Sequence, residues 1–186
     1  MADSTNTRPS PLISHIHDPF TCLDADTWLH DRPECDVYTL LIDAFRLRMA
    51  DEHNFKHHSH DGSIYAGDPD SLTAFKQFLH QAKQISGLLP PWWSEEKRGE
   101  CIVLGMNGEG ESWRLLAKRT DEKDIAERYE DKRMPLQMRV FAKHVCGPGA
   151  ANIEETADAW QVLMRTIEGE ELQARSKEVV LDDCTV

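Results

Sequence analysis

The sequence predicts an all-α domain, a compact irregular bundle of about six helices with a mobile N-terminal leader and a loose polar tail. Three observations predict it. Apolar residues recur at three- and four-residue spacing in several separate stretches. No credible run alternates at period two, residues 178–181 being the one strand-like stretch. Proline, glycine and capping side chains fall at the ends of the periodic stretches. The organisation expected is a leader over 1–18, a helical domain over 19–168 and a polar tail over 169–186.

The leader is rich in Ser, Thr, Pro and Asn and shows no apolar period. The first strong helix begins after Asp31, a cap, with Pro33 in its first turn and Arg32 placed to pair with a carboxylate. Val37, Leu40, Leu41, Ala44, Phe45 and Met49 form its apolar stripe, which leaves Asp43, Arg46, Asp51 and Glu52 on an outer, solvated face. A second helix starts at Asp70 or Ser71, buries Leu72, Phe75, Phe78, Leu79 and Ala82, and closes near Gly87. Pro90 and Pro91 break the chain before Ser94 starts a further helix, with Glu95 and Glu96 in its first turn. Gly105, Gly108 and Gly110 read as a flexible loop, followed by a short helix through Trp113 and Leu116. Thr120 is the expected cap of the next helix, with Ile125 and Tyr129 inward and Asp124–Arg128 as an i,i+4 pair on a solvated face. Pro135 opens a helix carrying Leu136, Met138, Val140, Phe141 and Val145, which the Gly147–Pro148–Gly149 run ends. A last helix is expected over about 152–168, with Ile153, Ala157, Trp160, Leu163, Met164 and Ile167 as its apolar set.

Lys plus Arg number 21 against 33 Asp plus Glu, a formal net charge of −12. Such a chain has no electrostatic reason to seek a phosphate backbone or an anionic bilayer, so no nucleic acid and no membrane are expected as partners. The five cysteines, Cys22, Cys35, Cys101, Cys146 and Cys184, are scattered without a CxxC pair, which excludes a paired-cysteine zinc finger. With no apolar signal-like stretch in the first thirty residues, free thiols in a reducing cytoplasmic setting, or in the nucleus, are expected.

The strings FTCLDADTWLHDRP and DVYTLLIDAFRLRMADE, then GLLPPWW, then AERYEDKRMPLQMRVF with its CGPG stop, occur in that order between about residues 20 and 149. Together they resemble the helical region that accompanies the MYND finger in fungal MYND-type zinc finger proteins. The resemblance implies a helical module and no assigned reaction. The finger itself, with its closely spaced cysteines and late His/Cys pair, has no counterpart in the chain, so the finger's zinc-dependent recognition does not carry over.

Three constellations invite a chemical reading. HNFKHHSHDG places His53, His57 and His60 at i, i+4, i+7 if the first helix continues, with Asp61 or Glu52 as an oxygen ligand; that donor set suits zinc, although an exposed polar helix end explains the same residues. LHDRPECD offers His30, Asp31 and Cys35 as base, orienter and thiol, yet a helix start uses every one of them. Pro90-Pro91-Trp92-Trp93 makes either a corner of the core or a docking ledge. GMNGEG at 105–110 lacks the Lys-Ser/Thr of a phosphate loop. No complete catalytic set is present and no cofactor is implied. The leading expectation is a non-enzymatic module that contacts a protein partner through Trp92, Trp93 and the acidic face of the first helix. The alternatives are a small metal-dependent enzyme or metal carrier using the histidines, and an accessory protein of a fungal biosynthetic pathway.

Overall fold

The computed structural model describes residues 12–15, 17–108, 112–148, 159 and 162–169. Among them every regular element is helical: α1 (Pro19–Asp24), α2 (Glu34–Lys56), α3 (Leu72–Gln84), α4 (Glu95–Asn107), a single 3₁₀ turn (Ser112–Arg114), α5 (Glu122–Tyr129) and α6 (Met134–Cys146). Residues 162–169 are also helical. The all-α expectation holds. Ile153, Ala157, Trp160 and the strand-like 178–181 lie outside the described residues. No helix among those described is long and apolar enough to cross a membrane.

The apolar periods build one core. α2 packs on α3, α4, α6 and the 3₁₀ turn, while α6 also receives α1, α3 and α5. At the centre, Phe45 meets Phe75 at 5.1 Å and Phe78 at 5.6 Å between ring centres, and Phe141 meets Trp28 at 5.2 Å. The indole N–H of buried Trp28 donates to Gln137 Oε1 at 3.1 Å, so its polar edge is satisfied inside the core.

The main correction concerns α2. Its supposed outer face is not solvated: Asp43 is 0% exposed, Arg46 4%, Asp51 8% and Glu52 4%. The helix is enclosed on all sides from Asp36 to Glu52. Asp43 accepts from Arg46 Nη1 at 2.8 Å and from the Tyr129 hydroxyl at 2.9 Å. Arg46 also donates to the carbonyls of Lys118 and Arg119. Asp51 takes both Nε and Nη2 of Arg139, at 2.9 and 3.1 Å. Apart from the Asp43–Arg46 pair, three residues apart, these partners lie 72 to 88 residues further along the chain. A period in one helix reports its apolar stripe and is silent on whether distant groups will cover its polar side.

Smaller departures have equally local causes. Gly105 lies inside α4 rather than in a loop. A Cβ there would stand 3.1 Å from two Leu116 side-chain carbons, so the glycine lets α4 approach the segment after the 3₁₀ turn. Asp121, not Thr120, caps α5, accepting from Asp124 N at 2.8 Å. Arg128 turns inward, 3.5 Å from Asp43 and over the Trp113 ring at 4.2 Å, instead of pairing along the helix. Arg32 is buried and donates to the carbonyls of Trp28 and Ser14, and burial lowers its guanidinium to about 10. Pro33 is the residue before α2 and no side chain caps that helix. Within the expected leader, the N–H groups of Ile13 and Ser14 donate to the buried Asp36 carboxylate at 2.9 and 2.8 Å.

α1 has an unusual cap. Asp18, at its start, adopts a left-handed conformation, and its side chain does not cap the helix. Glu168 takes that role, accepting from Phe20 N, Thr21 N and the Thr21 hydroxyl at 3.2, 2.8 and 2.9 Å.

Two stability measurements follow. Asp43→Ala takes from buried Arg46 its carboxylate counter-charge and from the Tyr129 hydroxyl its acceptor, and urea unfolding should show a loss of about 3–5 kcal/mol, against near-neutrality for a solvated residue. Gly105→Ala should destabilise by about 1–3 kcal/mol through overpacking, while Gly99→Ala, in the same helix with open space around it, should gain about 0.5–1 kcal/mol.

Candidate functional site

Two surface features gather chemically distinctive side chains, one at each end of α2. The first is built on the Pro90–Trp93 turn, closed by Trp93 N donating to Pro90 O at 2.9 Å. Ser94 then caps α4, its hydroxyl accepting from Lys97 N. Both indoles are half-buried. They meet the Tyr38 ring of α2 edge-on, at 6.4 Å for Trp92 and 6.1 Å for Trp93, and stand 6.1 Å from each other. The indole nitrogen of Trp93 is buried without a hydrogen-bond partner among the described residues. The two readings of this tetrapeptide therefore meet halfway: each tryptophan packs on the core and keeps a face outward.

Beside this ledge an open groove of about 600 Å³ runs between α2 and α4, lined by Glu34, Cys35, Tyr38, Glu100, Val103 and Leu104. The Tyr38 hydroxyl donates to Glu100 Oε2 at 2.8 Å, and Lys97 Nζ bridges Glu34 and Glu100 at 2.8 and 3.2 Å. Burial, then the hydrogen bond to Glu100, raises the Tyr38 phenol well above its ordinary value, so it remains a neutral donor. Val103 is 53% exposed on the groove wall. The groove is thus apolar at its base with two carboxylates on its walls. The acidic face once expected to join Trp92 and Trp93 in contacting a partner is buried in α2; Glu34 and Glu100 supply the acidity instead. Their pairing across 66 positions leaves no mark in either local stretch.

The second feature lies where the histidines cluster. α2 stops at Lys56 and His57 turns left-handed, so His53, His57 and His60 do not continue along one helical face. His53 Nδ1 faces the Ser59 hydroxyl at 3.0 Å and its ring packs on Tyr65 at 4.8 Å. His57 and Asp61 are exposed. His60 Nε2 hydrogen-bonds the buried Glu52 carboxylate, whose other oxygen accepts from Arg48 Nε at 2.7 Å. No group of three His, Cys, Asp or Glu side chains converges to hold a metal ion among the described residues. His58 and His60 instead border a cleft of about 270 Å³ whose walls include Glu52, an oxygen-ligand candidate in the sequence, together with Arg48 and Cys146, which sequence reasoning left out of any site. The one local sign of it was the Arg48–Glu52 spacing of four residues on α2.

Burial raises the pKa of each thiol among the described residues, Cys22, Cys35, Cys101 and Cys146, which disfavours the nucleophilic thiolate. Cys35 is exposed, yet desolvation and then the adjacent Asp36 raise its pKa, while His30 is committed to Gly87 O at 2.8 Å and Cys35 Sγ faces Asp36. The base–thiol pairing considered for this stretch is not formed. Burial pushes the Cys146 thiol up to about 11. No protein-family model, curated protein or solved structure matches the chain.

Burial raises the Glu52 carboxyl, but the His60 hydrogen bond and the Arg48 charge outweigh it and hold the group at about 2. A carboxyl lowered by folding adds stability that is complete above its unfolded value near 4.5 and is lost as pH falls through about 2. In an acid-unfolding titration followed by circular dichroism, Glu52→Gln should flatten the stability loss within that window. An unchanged titration would mean that the Arg48–Glu52–His60 set does not anchor the end of α2.

Proposed function

We propose that this chain is a non-enzymatic helical module that docks a protein partner in the groove beside Trp92 and Trp93, and that the partner presents a basic segment flanked by apolar side chains. The observation that carries this reading is the juxtaposition of two half-buried indoles with a groove walled by Glu34 and Glu100 and floored by Tyr38 and Leu104. Aromatic anchors beside desolvated pockets dominate binding energy at protein interfaces, and opposite charge steers the encounter. The overall charge of −12 adds to the field that draws a basic partner. The reading keeps from the MYND-like blocks only the helical module and needs no finger and no zinc.

Lys97 already occupies the space between the two carboxylates, so a partner's lysine or arginine exchanges with it. The groove is pre-paired until displaced, which favours a partner with several basic side chains. The test compares quantitative affinity purification of the wild-type chain with Trp92→Ala, with Glu100→Lys and with Lys123→Glu, the last at an 82% exposed position on α5. A partner retained by wild type and Lys123→Glu, lost with the first two, and bound directly through a basic segment supports the reading. Partners that ignore both ledge substitutions overturn it. Stoichiometric zinc in untagged protein, lost in His57→Ala, would replace it with the metal-binding reading.

A further inference from the structure

We propose that the cleft at the C-terminal ends of α2 and α6 is a binding site for a small organic carboxylate carrying a short apolar body. It lies at the far end of α2 from the tryptophan ledge and stands independently of the docking reading.

The cleft is two-sided in character. Phe45, Met49 and Phe78 line one part with apolar surface, while Arg48 and Glu52, both more than nine-tenths buried, line another. Glu52 is already compensated, by Arg48 on one oxygen and His60 on the other. Arg48 is further tied to Gly147 O at 3.1 Å. Lys56, on the rim, donates to Pro148 O at 3.2 Å and meets no carboxylate among the described residues. His58 is exposed beside it, its ring edge-on to that of His60 at 4.8 Å. Among the described residues of the cleft, Arg48 offsets Glu52 and Lys56 adds one positive charge, on a chain of net charge −12. A single negative charge answers Lys56, whereas a dianion would press harder against the nearby Glu52. Gln77 and Gln81 of α3 also line the cleft and supply neutral amide donors.

Size and rigidity narrow the ligand. A volume of about 270 Å³ is at the small end of ligand pockets and holds about nine water-sized groups. The side of the rim that carries His60 and Ala74 is held by hydrogen bonds within the protein. Ser63 Oγ donates to His60 O at 2.6 Å, Ala74 N donates to Gly62 O at 3.2 Å, and Ile64 N donates to Ser71 Oγ at 3.1 Å. A preformed pocket spares the ligand the cost of ordering it.

The probe is hexanoate, with hexanamide as its uncharged counterpart, titrated into the full-length ¹⁵N-labelled chain by NMR. Hexanoate should give saturable shifts centred on the Gln77 and Gln81 side-chain amides with a Kd of about 1 mM, the order a ligand of this size reaches. Hexanamide should bind about tenfold more weakly. Lys56→Glu, at an exposed position, should raise the hexanoate Kd about tenfold, and Gln77→Trp, which fills the cleft from its rim, should abolish the shifts; an unchanged amide spectrum elsewhere certifies each fold. Absence of saturation, equal binding of hexanamide, shifts on another face, or indifference to both substitutions overturns the proposal.

Discussion

The constraint on which the fold turns is the full enclosure of α2. A helix surrounded by protein must compensate every charge it carries, because an unpaired ion away from water costs several kcal/mol. α2 carries Asp36, Asp43, Arg46, Arg48, Asp51 and Glu52 within its buried stretch. Asp36, Asp43, Arg46, Asp51 and Glu52 each reach a different part of the chain, in turn the backbone near residue 13, α5, the carbonyls of 118–119, α6 and the loop holding His60, while Arg48 pairs with Glu52 inside the helix and donates to Gly147 O. The polar contacts of α2 therefore specify where α5, α6 and the connecting loops lie, while its apolar stripe and the phenylalanines supply the non-directional attraction.

That division of labour also places the two surface features. Tyr38 and Glu52 are fourteen residues apart on one continuous helix, a separation of about 21 Å along its axis. At the N-terminal half, α2 turns an aromatic side chain toward the Trp92–Trp93 turn; at its C-terminal end, a buried ion pair opens onto a cleft. Both are held by the same rigid element, and each is completed by a short connection, the Pro90–Trp93 turn at one end and the segment holding His60 at the other. The tryptophan groove is open and wide with acidic walls, whereas the cleft is small, partly apolar and tilted to positive charge. They suit different classes of ligand.

Much of the fold was legible because periodicity and punctuation are local. Val37 to Met49, Leu72 to Ala82 and Met138 to Val145 each announce a buried stripe, and Ser94 and Gly147 mark boundaries that the structure keeps. What escaped was non-local. Asp43 and Asp51 have the look of surface residues until Tyr129 and Arg139 arrive from 86 and 88 positions away. Gly105 has the look of a hinge until Leu116 packs on it. The path of the histidine run is non-local in the same way: its spacing aligns three imidazoles only on an uninterrupted helix, and the left-handed turn at His57 sends His60 back to Glu52 instead. Trp92 and Trp93 stood out by composition alone, but the carboxylates that give their groove its character come from two separate helices.

The Glu168 carboxylate that closes the start of α1 has a consequence in time. Thr21 and Glu168 are separated by 147 positions. During vectorial synthesis at about 5–20 residues per second, α1 leaves the ribosome well before its anchor has been translated. Until then its first amides face solvent and the six-residue helix has no protein cap. Completion of the N-terminal segment is thereby deferred to the emergence of residues 162–169, so α1 is among the last parts of the body to become fixed on a growing chain.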